Sequence, residues 1–415
     1  MATPFSHKPT LKHCKIYQML KAQNRARHLS FHTPGHKQRG FDITELAYSD
    51  NLANPTGCIA QAEKDIATIL HAHKSFILTG GSTAGVLAML KVASEKGVKK
   101  LAIQKTAHKS VFEGCALFHI TPVLFHVKQE WQNAIENADG VLITSPSYYG
   151  ELFNLQAVRS LCDKRNKLFL IDGAHGGHLH FEKSLHASAY ADLWVDGVHK
   201  SLPALTQGAV VSAKTEELAL LLKNAVDTFR TTSPSYPIMA SVEYAIKYPR
   251  NEKLENLVKA FAQNNERVTL NEDWTKLVAR FGKNAQTAFE ELLALGVYAE
   301  FCDGENILFY LSPATSKRAF SRLCKLLKCL FAKYPYIAVE RIPAPLVLQK
   351  DGATKWIDLD SAVGKICAKE CGLFPPCTPL LEKGEVIEEN KLTLLKNAVN
   401  TFGLQENKIL VFKDE

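Results

Sequence analysis

The sequence predicts an α/β protein, in which helices cover a mostly parallel, seven-stranded sheet and a smaller α+β domain follows. Seven short apolar runs, rich in aliphatic and β-branched residues, occur between about residues 75 and 215. They do not alternate strictly with polar residues, which is typical of strands buried on both faces. Helix-like stretches separate several of these runs, and such alternation predicts a parallel sheet.

The predicted elements follow one another along the chain. The strands are SFILT (75–79), LAIQ (101–104), PVLFHV (122–127), GVLITS (140–145), KLFLID (167–172), LWVDG (193–197) and AVVSA (209–213). Between and after them we predict helices at 84–97, 155–167 and 215–228. Beyond these we predict a long helical stretch at 251–298, strands at 306–311 and 337–342, and helices at 315–332, 359–370 and 388–402. The chain then divides into an N-terminal arm (1–40), a major domain (41–285) and a C-terminal small domain (286–415).

Composition narrows the class of protein. The chain has 415 residues, of which 46% are hydrophobic and 22% charged, so it can bury a full core. The net charge is +8, but its basic residues are spread along the chain and do not indicate a nucleic-acid partner. Ten cysteines without a CxxC pair favour reduced thiols. Lacking a signal peptide or a membrane-spanning run, the chain is expected to be cytoplasmic, with no membrane partner.

A glycine-rich turn in LTGGSTAGVLAML (78–90) is the first candidate site. A predicted strand ends there and a helix begins at once. Glycines allow close approach of the backbone, and the first amides of a helix attract anions. With the hydroxyls of Ser82 and Thr83, the turn could bind a phosphate group. The alternative is that Ser82 or Thr83 is an ordinary helix N-cap.

A second candidate site lies in FLIDGAHGGHLHF (169–181). Asp172 ends a predicted strand, where a buried carboxylate is unfavourable unless it is paired. His175 and His178 follow, so a metal site is one alternative. The other is that Asp172 keeps a proton on a heteroaromatic nitrogen.

The third candidate is Lys200, in DGVHKSLP (196–203). A lysine after a strand is usually solvated, but among apolar residues its amine becomes nucleophilic. Together with Asp172 and the phosphate site at the same edge of one sheet, Lys200 provides what pyridoxal 5'-phosphate requires. The phosphate anchors the cofactor, the carboxylate holds the pyridine nitrogen protonated, and the lysine forms an imine.

At this point the sequence resembles the bacterial ornithine/lysine/arginine decarboxylase family, which belongs to the fold-type-I pyridoxal-phosphate enzymes. The stretches that carry the resemblance are FHTPGHKQRG (31–40), GGSTAG (80–85), AHKS (107–110), SPSYYGELFNL (145–155), DGAHGGH (172–178), GVHKSLPALTQGA (197–209), TTSPSYPIMAS (231–241) and FPPCTPLLEKGE (374–385). They occur in the family's order and span nearly the whole chain. The resemblance implies the α-decarboxylation of lysine, arginine or ornithine to a diamine or agmatine, as in polyamine or amino-acid metabolism.

The resemblance also implies a role for individual residues. Ser82 and Thr83 should bind the cofactor phosphate, and His108 should stack on the pyridine ring. Asp172 should pair with the ring nitrogen, and His175 should lie near the phenolic oxygen.

Lys200 should form the Schiff base, with His199 beside it as a phosphate contact or proton donor. Lys200, His199, His108 and Asp172 are therefore the expected catalytic residues. Thr232 and Ser233 should reach the cofactor pocket of a partner subunit, which implies a homodimer with shared active sites.

Among the chain's departures from the family pattern are two glycines near the candidate site. The family usually has glutamate where this chain has Gly173, and a phosphate-binding serine where it has Gly197. Its start close to HTPGHK implies a short form without the N-terminal wing domain. Two alternatives remain: another pyridoxal-phosphate reaction such as transamination, and a regulatory homologue without catalysis.

Overall fold

Seven strands form one sheet, and helices cover both of its faces. The computed structural model describes residues 5, 7–26, 29–37, 40–126, 130–339, 352–373, 379–398 and 400–413. The strands of the sheet are β1 (Lys74–Leu78), β2 (Lys100–Gln104), β3 (Thr121–Phe125), β4 (Gly140–Thr144), β5 (Leu168–Gly173), β6 (Leu193–Asp196) and β7 (Ala209–Ala213). Their order is β1-β7-β6-β5-β4-β2-β3, and β7 alone runs antiparallel to its neighbours. The α/β class and the mostly parallel seven-stranded sheet are confirmed.

The helices of this large body form two layers. They are α1 (Lys8–Leu11), α2 (Lys15–Arg25), α3 (Cys58–Ile69), α4 (Gly81–Glu95), α5 (Lys109–Leu117), α6 (Trp131–Glu136), α7 (Leu155–Arg165), α8 (Val198–Ser201), α9 (Glu216–Phe229) and α10 (Tyr236–Ile246). One hydrophobic cluster joins the sheet to α2, α3, α6, α7 and α10, and a second joins it to α4, α5 and α9. Successive strand residues such as Phe76 and Ile77 enter opposite clusters, which is why the strands are apolar throughout.

The stretch 251–298 differs from its prediction as one long helical segment. It contains α11 (Glu252–Gln263), β8 (Val268–Leu270), β9 (Lys276–Arg280) and α12 (Ala285–Ala294). Asn264 and Asn265 follow the end of α11, and asparagine favours turns over helix interiors. The β-branched residues beyond them pair in an antiparallel sheet.

That sheet has the order β10-β11-β9-β8, completed by β10 (Phe301–Cys302) and β11 (Asn306–Tyr310). Helix α13 (Lys317–Lys333) packs on it, in agreement with the prediction at 315–332. Of the predicted strand at 337–342, Ile337 forms only an isolated bridge to Gly282, and residues 340–342 lie outside the described part of the chain.

The C-terminal part contains short strands and one helix. They are β12 (Thr354–Asp358), β13 (Cys371–Leu373), β14 (Pro379–Leu381), α14 (Glu389–Asn397), β15 (Thr401–Phe402) and β16 (Lys408–Phe412). The helix predicted at 359–370 is wrong, because the chain makes one 3-10 turn and then reverses at Gly364, whose φ of +76° suits glycine. The last predicted helix ends early, and residues 401–402 are a strand. No helix among the described residues is long and apolar enough to cross a membrane.

Candidate active site

A cavity of about 470 Å³ lies at the carboxyl ends of β2, β4 and β5. Parallel sheets bind ligands at this edge. Seven of the nine residues predicted for the site line it: Ser82, Thr83, His108, Asp172, His175, His199 and Lys200. Thr232 and Ser233 are exposed and are not among its lining residues, so their role toward a partner subunit stays a prediction.

The N-terminus of α4 forms one end of the cavity. Helix α4 begins at Gly81, whose φ is +75° and whose amide donates to the carbonyl of Gln207 at 2.8 Å. The N-cap residue is Gly80, so the interpretation of Ser82 or Thr83 as the N-cap is wrong. Their hydroxyl-bearing side chains instead line the cavity within the first helical turn. The amides and dipole of that turn favour an anion.

Asp172 and His108 lie in the wall of the cavity. Asp172 is 2% exposed, and its Oδ1 accepts the amide of Ala174 at 3.1 Å. Burial raises the pKa of Asp172, whereas the nearby His108 and Lys200 lower it. His108 caps α5, and its Nδ1 accepts the amide of Ser110 at 3.2 Å, which leaves Nε2 to carry the ring proton. Burial lowers the pKa of His108.

Lys200 contacts His175 directly. Its Nζ lies 3.1 Å from His175 Nε2, and His175 Nδ1 lies 2.9 Å from the hydroxyl of Tyr310. That hydroxyl donates to the carbonyl of Tyr148 at 3.2 Å. All three contacts are satisfied together when Lys200 donates to Nε2 and Nδ1–H donates to Tyr310. Burial lowers the pKa of His175 well below its usual value, so the imidazole is neutral at pH 7.

A buried ion pair between Lys276 and Asp273 lies next to His175. Lys276 and Asp273 are both fully buried, and their charged atoms lie 2.9 Å apart. Lys276 Nζ also donates to the carbonyl of His175 at 3.2 Å and lies 4.5 Å from the centre of the Tyr310 ring. The side chain of Asp273 forms a hydrogen bond with His178 Nε2 at 2.8 Å. The ring of His178 therefore contacts Asp273, whereas the ring of His175 contacts Lys200 and Tyr310.

The metal alternative therefore lacks support at these two histidines. Within the described residues, no three histidine, cysteine or acidic side chains are grouped as metal ligands would be.

His199 is oriented by the backbone. Its Nδ1 lies 3.0 Å from the carbonyl of Gly208, so that nitrogen carries the proton and Nε2 remains an acceptor. Burial lowers the pKa of His199. Gly197, two residues before His199, packs against Ala174 so closely that a Cβ there would lie 2.2 Å from the Ala174 carbonyl oxygen.

Four aromatic side chains of the site were missed by sequence reasoning. Tyr148, Tyr149 and Phe301 line the cavity, and Tyr310 holds His175. The rings of Tyr148 and His175 are 4.5 Å apart. SPSYYG follows a strand of the sheet, a position that could have indicated the first two. Phe301 and Tyr310 come from the second sheet, and nothing in their local sequence indicates which surface they face.

Comparison with known proteins decides the family. A sequence model described as Orn/Lys/Arg decarboxylase, major domain, matches residues 39–140 and 126–282, more than half of the chain. The chain belongs to the Orn/Lys/Arg decarboxylase family. It is a decarboxylase whose cofactor is pyridoxal phosphate, as the resemblance implied.

Two sequence relatives of the decarboxylase match it over most of their length. It is 25% identical to the uncharacterized protein YaaO of Bacillus subtilis (strain 168), across 96% of this chain and 98% of that protein. It is 24% identical to an arginine decarboxylase of Halalkalibacterium halodurans, across 89% and 90% of the two chains. The constitutive lysine decarboxylase of Escherichia coli has the same fold, with a TM-score of 0.69 at 18% identity over 97% of this chain and 82% of that one.

Proposed function

We propose that the protein removes the α-carboxylate of a basic amino acid, namely lysine, arginine or ornithine, and releases a diamine or agmatine with carbon dioxide. One observation carries the proposal: Lys200 and Asp172 share one cavity with the N-terminus of α4. Such a cavity can hold a phosphate at one end, a pyridine nitrogen at another and a carbonyl carbon at the lysine.

The residues of this cavity suit the parts of the cofactor. Ser82 and Thr83, with the first amides of α4, would hold the phosphate. Asp172 would pair with the ring nitrogen, because a neighbouring cation relieves the penalty of a buried carboxylate. His108 would stack on the ring, and His175 would lie near the phenolic oxygen.

Lys200 and the histidines would carry the proton chemistry. Pyridoxal phosphate, when bound, supplies an electron sink for cleavage of a bond at the α-carbon. Lys200 would hold the cofactor covalently until substrate arrives, and His175 Nε2 accepts a hydrogen bond from its amine. His199 or Lys200 would return a proton to the α-carbon. The aromatic walls of Tyr148 and Phe301 would exclude water from that carbon.

We further infer a cytoplasmic homodimer with shared active sites, divided as an arm (1–40), a major domain (41–285) and a small domain (286–415). The exposure of Thr232 and Ser233 supports this inference, because residues that serve a partner's pocket must be accessible on their own subunit.

The proposal predicts covalent attachment of the cofactor at Lys200. Reduction of the purified protein with borohydride, followed by mass spectrometry, should place the cofactor's mass on the peptide that contains Lys200. Lys200→Ala should lose the attachment and at least a thousandfold in kcat, on the order expected for the loss of a covalent catalytic group. Lys183→Ala, which changes an exposed lysine, should do neither.

Separate incubations with lysine, ornithine and arginine, with carbon dioxide and amine measured, would identify the substrate. Release of a keto acid without gas would overturn the proposal in favour of transamination. A protein that takes up no pyridoxal phosphate would overturn the catalytic roles altogether.

A further inference from the structure

Glu300 stands out among the carboxylates near the cavity because its charge has little to compensate it. It is half-buried and immediately precedes β10; it is not among the residues that line the cavity, but the next residue, Phe301, is. The hydroxyl of Tyr148 lies 3.5 Å from its Oε1, which is a long hydrogen bond. Within the described residues, no cation forms an ion pair with Glu300. Burial raises the pKa of its carboxyl, an effect that Lys200 and Lys276 oppose from a distance.

Lys276, the buried lysine that contacts His175, uses all of its hydrogen-bond donors on groups other than Glu300. Lys276 Nζ has an ion pair with Asp273 at 2.9 Å and donates to Thr275 Oγ1 at 2.8 Å and to the His175 carbonyl at 3.2 Å. An ammonium group has three donors, so Lys276 has none left for Glu300.

The neighbouring acid Asp303 also lines the cavity, but its acceptor sites are full. Its Oδ1 accepts the amides of Glu305 and Asn306 at 2.9 and 2.6 Å. Its Oδ2 accepts the Tyr149 hydroxyl at 2.6 Å and the Asn306 side chain at 3.0 Å. A carboxylate has about four acceptor positions, so Asp303 has no free position for a further donor. Its contacts instead build the turn between β10 and β11.

Tyr148 connects Glu300 to the reacting end of the cavity. Its ring packs 4.5 Å from the ring of His175, whose Nε2 lies 3.1 Å from Lys200 Nζ. The side chain of Tyr148 therefore lies between Glu300 and the His175 imidazole, which contacts the amine of Lys200. A basic amino acid whose side chain lies along Tyr148 would bring its terminal cation toward Glu300. Tyr148 and Phe301 present aromatic surface, which also attracts cations.

We propose that Glu300 binds the distal cation of the substrate and selects basic over uncharged side chains. This inference rests on the proposed function for the identity of the substrate, but the cation site itself can be tested by binding alone. Charge-assisted hydrogen bonds in a partly desolvated site discriminate strongly against an uncharged isostere.

The test compares Glu300→Gln with Glu291→Gln in the full-length protein loaded with pyridoxal phosphate. Glu291 is a carboxylate of the same part of the chain, paired with Lys333 and away from the cavity lining. We expect Glu300→Gln to raise KM for the basic substrate by about tenfold to hundredfold, with kcat at saturation little changed. Turnover of norleucine, which lacks the terminal ammonium of lysine, should not fall. Glu291→Gln should match the wild type in every measurement.

A binding measurement separates this inference from the proposed function. Calorimetry with cadaverine, putrescine and agmatine reports cation binding even when no carbon dioxide is released. Wild type should bind at least one of these amines, with an affinity that falls as pH drops through the raised pKa of Glu300. The charged groups facing this carboxyl are Lys200 and Lys276, with the Tyr148 hydroxyl beside it. Glu300→Gln should bind the amine more weakly and lose the pH dependence.

Unchanged amine affinity and KM in Glu300→Gln would overturn the inference. So would a Glu151→Gln variant that alone reproduces both losses, because Glu151 also lines the cavity. Amine binding that depends on Glu300, without decarboxylation of any basic amino acid, would overturn the proposed function and leave the cation site standing.

Discussion

Gly197 has no space for a side chain. A Cβ at this position would lie 2.2 Å from the Ala174 carbonyl oxygen, and one at Gly173 would lie 2.9 Å from the Val195 carbonyl oxygen. The two glycines therefore let the ends of β5 and β6 approach closely. Ala174 lies between Asp172 and His175, so this approach helps to place both. These two departures from the family pattern are adjacent in space and have one steric explanation.

This packing predicts that restoring the family's serine harms the site. In Gly197→Ser the backbone at Ala174 must move, which shifts Asp172 and His175. We expect the affinity for pyridoxal phosphate to fall about tenfold or more, since overpacking costs about 1–3 kcal/mol. Spectroscopic titration of the cofactor-free protein measures the dissociation constant.

Gly352→Ser is the matched control, because no atom of the described residues lies within 4 Å of a Cβ built there. Tighter cofactor binding in Gly197→Ser would show that the chain tolerates the serine and that the steric argument is wrong.

At the scale of elements, α3 and β1 meet at a buried carboxylate. Glu63 of α3 is 1% exposed, and its Oε1 accepts the amide of Ile77 in β1 at 3.1 Å. Burial raises the pKa of Glu63 to about 7. In the unfolded chain this carboxyl ionises near 4.5, so between these values the folded state holds a proton that the unfolded state has lost. Wild-type stability therefore falls as pH rises from 4.5 to 7, and the loss is complete above 7.

Glu63→Gln removes this penalty while keeping an oxygen for the Ile77 amide. We expect the variant to gain about 3 kcal/mol in unfolding free energy relative to wild type between pH 4.5 and pH 8. Urea unfolding of both proteins across this range measures the difference. A constant difference at all pH values would mean that Glu63 ionises normally in the folded protein.

The elements also show what the sequence could predict. All seven strands of the large sheet were found from their apolar runs, because both faces of such strands are buried. Asp172 and Lys200 could be brought together because parallel strands end at one edge. The strands β8 and β9 were missed, since their few β-branched residues lie between two helical segments. Tyr310 and Lys276 depend on how the second sheet packs against the first, and no local pattern encodes that contact.

At the scale of the whole molecule, exposed residues of the arm and of the segment before α10 remain to be explained. Leu29 and Phe31 are 88% and 93% exposed in the isolated chain. Thr232 and Ser233 are exposed as well, outside the cavity of their own subunit. The proposed homodimer, in which these residues would be buried and the active sites shared, would account for all four.

Subunit mixing tests this arrangement. Lys200→Ala removes the reactive lysine of a subunit's own site, and a Thr232→Val/Ser233→Ala double variant removes the groups it would lend to its partner. In a mixed dimer one site carries both defects and the other carries neither. Random exchange makes half of the dimers mixed, so two inactive preparations should together regain about a quarter of wild-type activity.

Sedimentation should show a dimer for each variant alone, which excludes failure to assemble as the cause of inactivity. Mixing two Lys200→Ala preparations is the negative control. An active double variant, or mixed dimers that stay inactive after proven exchange, would show that Thr232 and Ser233 do not serve the partner's site. Recovery of activity requires one subunit to supply groups to the cavity of the other, because neither variant chain contains every group.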